Sequence, residues 1–186
     1  MAQSRSGASR IIRATGRVVI NPTEAFAGGE FPYGGTDIGR VNAVALRSLG
    51  SDYKVNYEGL GAVGDILEGG LRWTFSCFLR GWDDDAVKLL LADGYEKGAQ
   101  TQHAVFKAPG GKQPGTSALA RLVKVAFVPD DLTHASGVLI YSALPDWDGG
   151  MAFARKTEFG IPLVFECMLD SQGRILAIGR MADLEL

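Results

Sequence analysis

The chain has 186 residues, 46% of them apolar and 22% charged, which is ordinary for a folded domain with a buried core. Its apolar runs are all shorter than the roughly 20 residues of a membrane-spanning helix, and residues 1–10 lack the apolar centre of a secretory signal. The two cysteines, Cys77 and Cys167, lie far apart in apolar runs. This placement predicts buried thiols rather than a disulfide or a metal site, in a protein made inside the cell.

The net charge of −2 hides a basic N-terminus. The first 17 residues contain four arginines and no acidic residue, so the remainder has 15 basic and 21 acidic residues, a net charge of −6. We therefore predict a flexible basic arm over residues 1–10, including Arg5 and Arg10, followed by a single domain over residues 11–186. Such an arm can bind an acidic neighbouring subunit or a nucleic acid, or it can remain a solvated tail. The acidic body argues against a broad DNA-binding surface.

Alternating apolar and polar residues predict a chain made mostly of strands. A helix is expected at 83–91, where Asp83 is a suitable N-cap and an apolar stripe follows. The turn around 170–173 contains a glycine and predicts a hairpin. The predicted strands cover residues 11–20, 38–47, 52–58, 71–80, 119–128, 137–142, 151–158, 162–169 and 174–181. Because most of the links are short, we expect an antiparallel β-sandwich or barrel with one flanking helix and long loops.

Two long loops carry apolar residues that must be covered by something. Residues 21–36 contain Phe26, Phe31 and Tyr33, which either fold back on the core or pack on a partner. Residues 93–117 form the second loop, and within it the sequence His-Ala-Val-Phe can pair as a short strand. We predict that both loops contribute contacts between subunits, through Phe26, Phe31, Tyr33, Tyr95, His103 and Phe106, together with Arg5 and Arg10 of the arm.

Residues 57–70 contain Gly59-x-Gly61-x-x-Gly64, the spacing of a dinucleotide-binding turn. That turn must follow a strand and open a helix whose N-terminus binds the pyrophosphate. A strand does precede the glycines, but only four residues separate Gly64 from the next glycine pair, too few for a stable helix. We therefore favour a strand, a glycine-rich loop and a second strand over a nucleotide site.

Other candidate chemistry is also weak. The sequence has two histidines, His103 and His134, either of which could act as a general base. However, it has no serine or cysteine in a nucleophile elbow that such a base would activate. Acidic residues 83–85 suit a helix cap, and residues 146–149 suit a turn better than an incomplete calcium loop. Trp73 and Phe75 lie on the apolar face of a strand, where a core position is more common than base stacking. We expect no catalytic residues, no cofactor and no metal, and hence a protein whose role is assembly.

Several stretches resemble the tail tube proteins of long-tailed bacteriophages. The similarity extends over residues 11–182 as a pattern and an order of elements, and no single motif in it is diagnostic. The stretches that carry it are Pro32–Gly39, Tyr57–Gly61, Asp65–Gly70, Trp82–Ala86 and Gly160–Asp170.

The resemblance implies a structural virion protein of the phage tail, assembled in the cytoplasm of the bacterial host. Six copies would join their sheets into a ring, and stacked rings would form a tube through which the genomic DNA passes without sequence-specific binding. The other expected partners are tail proteins: the tape measure, the neck and baseplate proteins, and a sheath if the tail is contractile. The alternatives are a neck, tail-terminator or baseplate ring protein and, less favoured, a monomeric ligand-binding β-barrel.

Overall fold

A closed antiparallel β-barrel forms the centre of the molecule. The computed structural model describes residues 15–56, 63–80, 95–97, 104–106, 118–147 and 161–186. The strands of the largest sheet are β1 (Gly16–Ile20), β2 (Thr36–Asn56), β3 (Val63–Leu79), β6 (Val123–Pro129), β7 (Gly137–Trp147), β8 (Ile161–Cys167) and β9 (Leu176–Gly179). Strands β4 (Tyr95–Lys97) and β5 (Ala104–Phe106) form a separate two-stranded sheet, and 3₁₀ turns cover Ala118–Arg121 and Met181–Asp183.

Six of these strands close the barrel in the order β6-β1-β2-β3-β8-β7, because β6 also pairs with β7. Strand β9 lies outside this ring and pairs with β7. The prediction of a mainly β antiparallel fold is confirmed, and of its two alternatives the barrel is observed. The helix predicted at 83–91 and the strand predicted at 151–158 lie outside the described residues.

Two clusters of buried residues hold the barrel together, one on each side of its wall. Side chains alternate along each strand, so Val18 and Ile20 face the interior while Val19 between them faces outward. The interior cluster is centred on Phe75, Phe127 and Phe165. The outer cluster is covered by the loop between β1 and β2 and by the C-terminal residues; its members are Val19, Phe26, Tyr33, Ala126, Val128, Leu139, Met181 and Leu184.

The barrel wall is packed closely at Gly16. A Cβ atom added to Gly16 would overlap the carbonyl oxygen of Val128 and lie 2.7 Å from the Phe127 ring. Glycine is therefore required here so that β1 can lie against β6, in which Pro129 is the residue opposite Gly16.

The break predicted between strands 38–47 and 52–58 is wrong, since β2 runs through it without interruption. The glycine-rich region after Gly64 is likewise strand: Gly69 and Gly70 belong to β3. In the ladder Gly50 lies opposite Leu71 and Asp52 opposite Glu68, so a single residue of β2 faces the two glycines. The glycines thus form a β-bulge, which bends the strand pair without ending it.

The hairpin predicted around residues 170–173 is also wrong as a strand pairing. A turn is present, with the Gly173 N–H donating to the Asp170 carbonyl at 3.1 Å. However, β8 and β9 do not pair with each other. Both pair with β7: β8 lies along residues 143–147 of β7, and β9 lies along residues 137–140 of β7. Since β6 occupies the opposite edge of β7, strands β8 and β9 follow one another along the same edge.

Candidate functional site

The barrel interior is filled by its own side chains. The rings of Phe75 and Phe127 lie 6.3 Å apart between centroids, and those of Phe75 and Phe165 lie 6.0 Å apart. All three are almost completely buried. A six-stranded barrel is narrow, and these rings fill the space in which a small ligand would have to bind. This arrangement argues against a ligand-binding barrel.

The environments of the two cysteines and of His134 are typical of structural residues. Burial raises the pKa of the Cys77 thiol to about 12 and that of Cys167 to about 11, so neither is a nucleophile near neutral pH. His134 lies 3.4 Å from the Asp131 carboxylate, but its side chain is 78% exposed. Asp131 also accepts backbone N–H groups of the turn that contains His134. Within the described residues no group of three or more potential ligands could hold a metal ion.

The aromatic residues of the β1–β2 loop do not share one environment. Phe26 and Tyr33 are 5% exposed and pack edge to face at 5.0 Å in the outer cluster, so both fold back on their own chain. Phe31 is 41% exposed. The prediction of a contact between subunits therefore rests, within this loop, on Phe31.

Phe31 belongs to a charged patch on the outside of the barrel. The Arg17 guanidinium lies 5.4 Å from the centre of the Phe31 ring and donates to the Asp37 carboxylate. That hydrogen bond raises the pKa of Arg17, against the opposing effect of partial burial. Arg40, directly across from Arg17 in the ladder, pairs with Asp130 at 3.1 Å. An exposed aromatic ring beside paired arginines is typical of protein interfaces.

Among the residues that the structure describes, the far part of the β2–β3 hairpin is the largest feature outside the barrel. Strand β2 pairs with β1 only at Thr36–Val41, and β3 pairs with β8 only from Trp73 onward. Beyond these limits, residues 50–56 of β2 and 63–71 of β3 pair with each other. We call this two-stranded segment the projecting hairpin. At about 3.3 Å per residue, the seven residues of its β2 strand extend it roughly 23 Å beyond the barrel.

In the part of the chain that the structure describes, no third strand pairs with either edge of the projecting hairpin. An isolated two-stranded hairpin is marginally stable in water, and open strand edges readily pair with other chains. Sequence reasoning predicted a strand at 52–58 but missed the hairpin, because it placed a glycine-rich loop between that strand and the one predicted at 71–80. The signal that could have revealed it is the alternation at 52–58, which continues from the preceding strand.

The remaining predicted contact residues are only partly located. Tyr95 and Phe106 lie directly opposite each other in the β4–β5 ladder, which confirms the short strand expected there. Arg5, Arg10 and His103 lie outside the described residues. Gly64 lies inside β3 instead of opening a helix, which removes the basis for a dinucleotide site. Among the side chains that the structure describes, the large apolar ones with more than a third of their surface exposed are Phe31, Leu119, Leu132, Leu169 and Ile178.

Comparison with protein-family models and with curated proteins finds no match for this chain. None of the helical segments that the structure describes is long and apolar enough to cross a membrane.

Proposed function

We propose that this chain is the structural subunit of a bacteriophage tail tube. Copies join side by side into rings, six to a ring as in the proteins that it resembles, and the rings stack into a channel for DNA. The site of action is the virion tail, after assembly in the host cytoplasm, with the tape measure, neck, baseplate and any sheath proteins as neighbours. No catalysis, cofactor or metal takes part.

The projecting hairpin is the observation that carries this proposal. Its two strands need partners that the described part of the same chain does not supply, and copies of the chain can supply them by pairing at the open edges. Exposed apolar residues such as Leu132 and Leu169 fit the same interpretation, because burial against a neighbouring copy would remove them from water.

The two ends of the barrel differ, which favours an open-ended stack. Strands β2 and β6 are both antiparallel to β1, so they run in the same direction. The projecting hairpin and the β6–β7 turn with Leu132 therefore extend from one end, and the β1–β2 connection lies at the other. Unlike ends associate head to tail, and repeated head-to-tail association gives filaments or tubes.

The charge distribution is compatible with a DNA channel. Outside the first 17 residues the chain carries a net charge of −6. A wall of like sign repels the phosphate backbone and lets DNA slide, whereas a basic wall would hold it.

The test is assembly of the purified chain at rising concentration, followed by mass photometry and negative-stain electron microscopy. We expect tubes with a central channel. In a shortened variant, Asn-Gly replaces residues 51–70 between Gly50 and Leu71, so the projecting hairpin is lost and the barrel strands remain. This variant should keep the far-UV circular dichroism of a β protein and form no tubes.

The matched control is Gln172→Lys, a change in an exposed turn, which should form tubes like the original chain. Closed rings that never stack would support a neck, terminator or baseplate position instead. A chain that stays monomeric at all concentrations, or a shortened variant that still forms tubes, would contradict the proposal.

A further inference from the structure

Strand β9 has an open edge beside the barrel. One edge of β9 pairs with residues 137–140 of β7, and among the described residues no strand pairs with the other edge. Strand β3 covers the corresponding edge of β8, but this pairing ends where Trp73 lies opposite Cys167. Beyond that point β3 continues into the projecting hairpin, and the edge of β9 stays unpaired within the described part of the chain.

The hydrogen-bonding pattern shows which backbone groups this edge offers. The Tyr141 N–H donates to the Ile175 carbonyl at 3.1 Å, so these two residues form a hydrogen-bonded pair of the antiparallel ladder. Such pairs alternate with pairs whose N–H and C=O groups point away from each other. Ala177 therefore directs its backbone groups toward β7, whereas Leu176 and Ile178 direct theirs toward the open edge.

The edge is apolar and lacks the residues that protect most edge strands. Residues 176–179 contain neither proline nor a charged residue, although these are common means of preventing strand addition. Ile178 is 47% exposed, and Leu169, in the turn that leads into β9, is 65% exposed. A strand added at this edge would remove Ile178 from water, which is favourable.

The turn that leads into β9 is held in place by its own side chains. Asp170 accepts hydrogen bonds from the Arg174 backbone N–H at 2.7 Å and from the Arg174 guanidinium at 2.9 Å. The same guanidinium lies 3.9 Å from the centre of the Tyr141 ring. The start of the edge is thus preformed, and a preformed edge loses less conformational entropy when a partner binds.

The charges of two unpaired strand segments are complementary. Residues 174–180, which contain β9, carry two arginines and no acidic residue, a net charge of +2. Residues 63–71, the β3 strand of the projecting hairpin, carry two acidic residues and no basic one, a net charge of −2. Residues 50–56, its β2 strand, carry one of each and are neutral. Charge complementarity therefore favours the β3 strand as the partner of β9.

We propose that residues 63–71 of the projecting hairpin pair with the open edge of β9 in a second copy of the chain. The inference rests on the proposed function, for which it names the strands that join neighbouring copies. Within one chain the hairpin extends away from the barrel, and its β3 strand does not pair with β9. Each copy gives a strand to one neighbour and receives one from the other, a head-to-tail contact that can close into a ring.

Ile178→Pro tests the contact without removing a hydrogen bond to β7. The Ile178 N–H faces the open edge, and proline is tolerated on an edge strand where the missing donor faces solvent. We expect this variant to keep the far-UV circular dichroism of the original chain. Mass photometry should show that the concentration needed for assembly rises about tenfold, because an interchain hydrogen bond is lost. Ile178→Val is the matched control: it keeps the donor and should assemble like the original chain.

A photo-crosslinker identifies the strand that β9 binds and the chain that supplies it. Benzoylphenylalanine is placed at position 178, and unlabelled and isotopically labelled chains are mixed before assembly. Mass spectrometry of the irradiated tubes should find position 178 joined to residues 63–71 of the other chain. The same group at position 133, in the exposed β6–β7 turn, should give no such link.

Charge reversal tests the electrostatic part of the contact. Arg180 is the residue to change, since its side chain is 61% exposed and its ion pair with Asp183 is long, at 3.7 Å. Arg180→Glu alone should weaken assembly, and so should Asp65→Lys combined with Glu68→Lys. All three changes together should restore assembly, because the two segments again carry opposite charges.

Assembly of Ile178→Pro at the original concentration would overturn the contact. Crosslinks confined to one chain or to other regions, or a triple variant that does not recover, would also overturn it. In each of these cases the original chain still forms tubes, so the proposed function would stand. An original chain that stays monomeric at all concentrations would overturn both.

Discussion

Replacing Phe75 with alanine tests whether the barrel interior is a packed core or a binding cavity. Phe75 is completely buried and lies between the rings of Phe127 and Phe165. Large-to-small changes of buried phenylalanine cost about 3–5 kcal/mol. We expect a loss of stability in the upper half of that range. The two neighbouring rings belong to strands that are paired along both edges, so they cannot move in to fill the space.

The loss would be a large share of the roughly 5–15 kcal/mol by which single domains are stable. Denaturant unfolding followed by tryptophan fluorescence measures it, since Trp73 packs against the same cluster. Thr74→Ala is the matched control: the side chain is next in sequence, faces outward and is only half buried, so its removal should cost less than about 1 kcal/mol.

A cost below about 1 kcal/mol for Phe75→Ala would refute the packed interior. An interior that loses a phenyl ring so cheaply would have to be loosely filled already. Such an interior could hold a small ligand, and binding of small apolar probes by the unchanged protein would be the next measurement.

Three further predictions concern backbone packing, thiols and a turn. Gly16→Ala should destabilise the barrel by about 1–3 kcal/mol in the same unfolding assay, whereas Gly179→Ala, with only an ordinary 3.5 Å contact, should cost less. Cys77 and Cys167 should resist a thiol reagent at pH 8 until the chain is unfolded. Because their pKa values are raised above the ordinary 9.0, stability should fall as pH rises above 9. Burial would raise the pKa of Asp170, but hydrogen bonds from Arg174 and the Gln172 backbone outweigh it and lower the pKa. Its contribution to stability is therefore present above its ordinary pKa of 3.8 and lost as pH falls through the lower folded value, and Asp170→Asn should reduce that acid dependence of the melting temperature.

Local patterns were sufficient to predict the barrel strands but not their partners. The alternation of Phe75, Cys77 and Leu79 identifies the buried face of β3, and the structure confirms all three as core residues. The pairing of β8 and β9 with β7 instead of with each other depends on residues far apart in sequence. A glycine turn between two strands cannot reveal that both lie along the same edge of a third strand.

The candidate contact surface was predictable only in part, for a similar reason. A loop has no periodicity that separates buried from exposed aromatics, so Phe26, Phe31 and Tyr33 were equivalent in the sequence. In the structure Tyr33 has a positive φ of 57° and packs in the outer cluster, while Phe31 lies over Arg17. The projecting hairpin was missed because glycines at 69 and 70 mark either a turn or a bulge, and only the ladder distinguishes them.

The lengths of the barrel strands support the proposal that the chain acts in an assembly. The other barrel strands have five to eleven residues, which is enough to close the barrel, whereas β2 has 21 and β3 has 17. Ordering each extra residue costs about 1–2 kcal/mol of backbone entropy, and the hydrogen bonds of a lone two-stranded ladder contribute little net stability. A barrel that needed only to fold would gain nothing from this extra length. Under the proposed function, contacts with other copies would offset this cost once the chains assemble, which would link the projecting hairpin to the formation of rings and tubes.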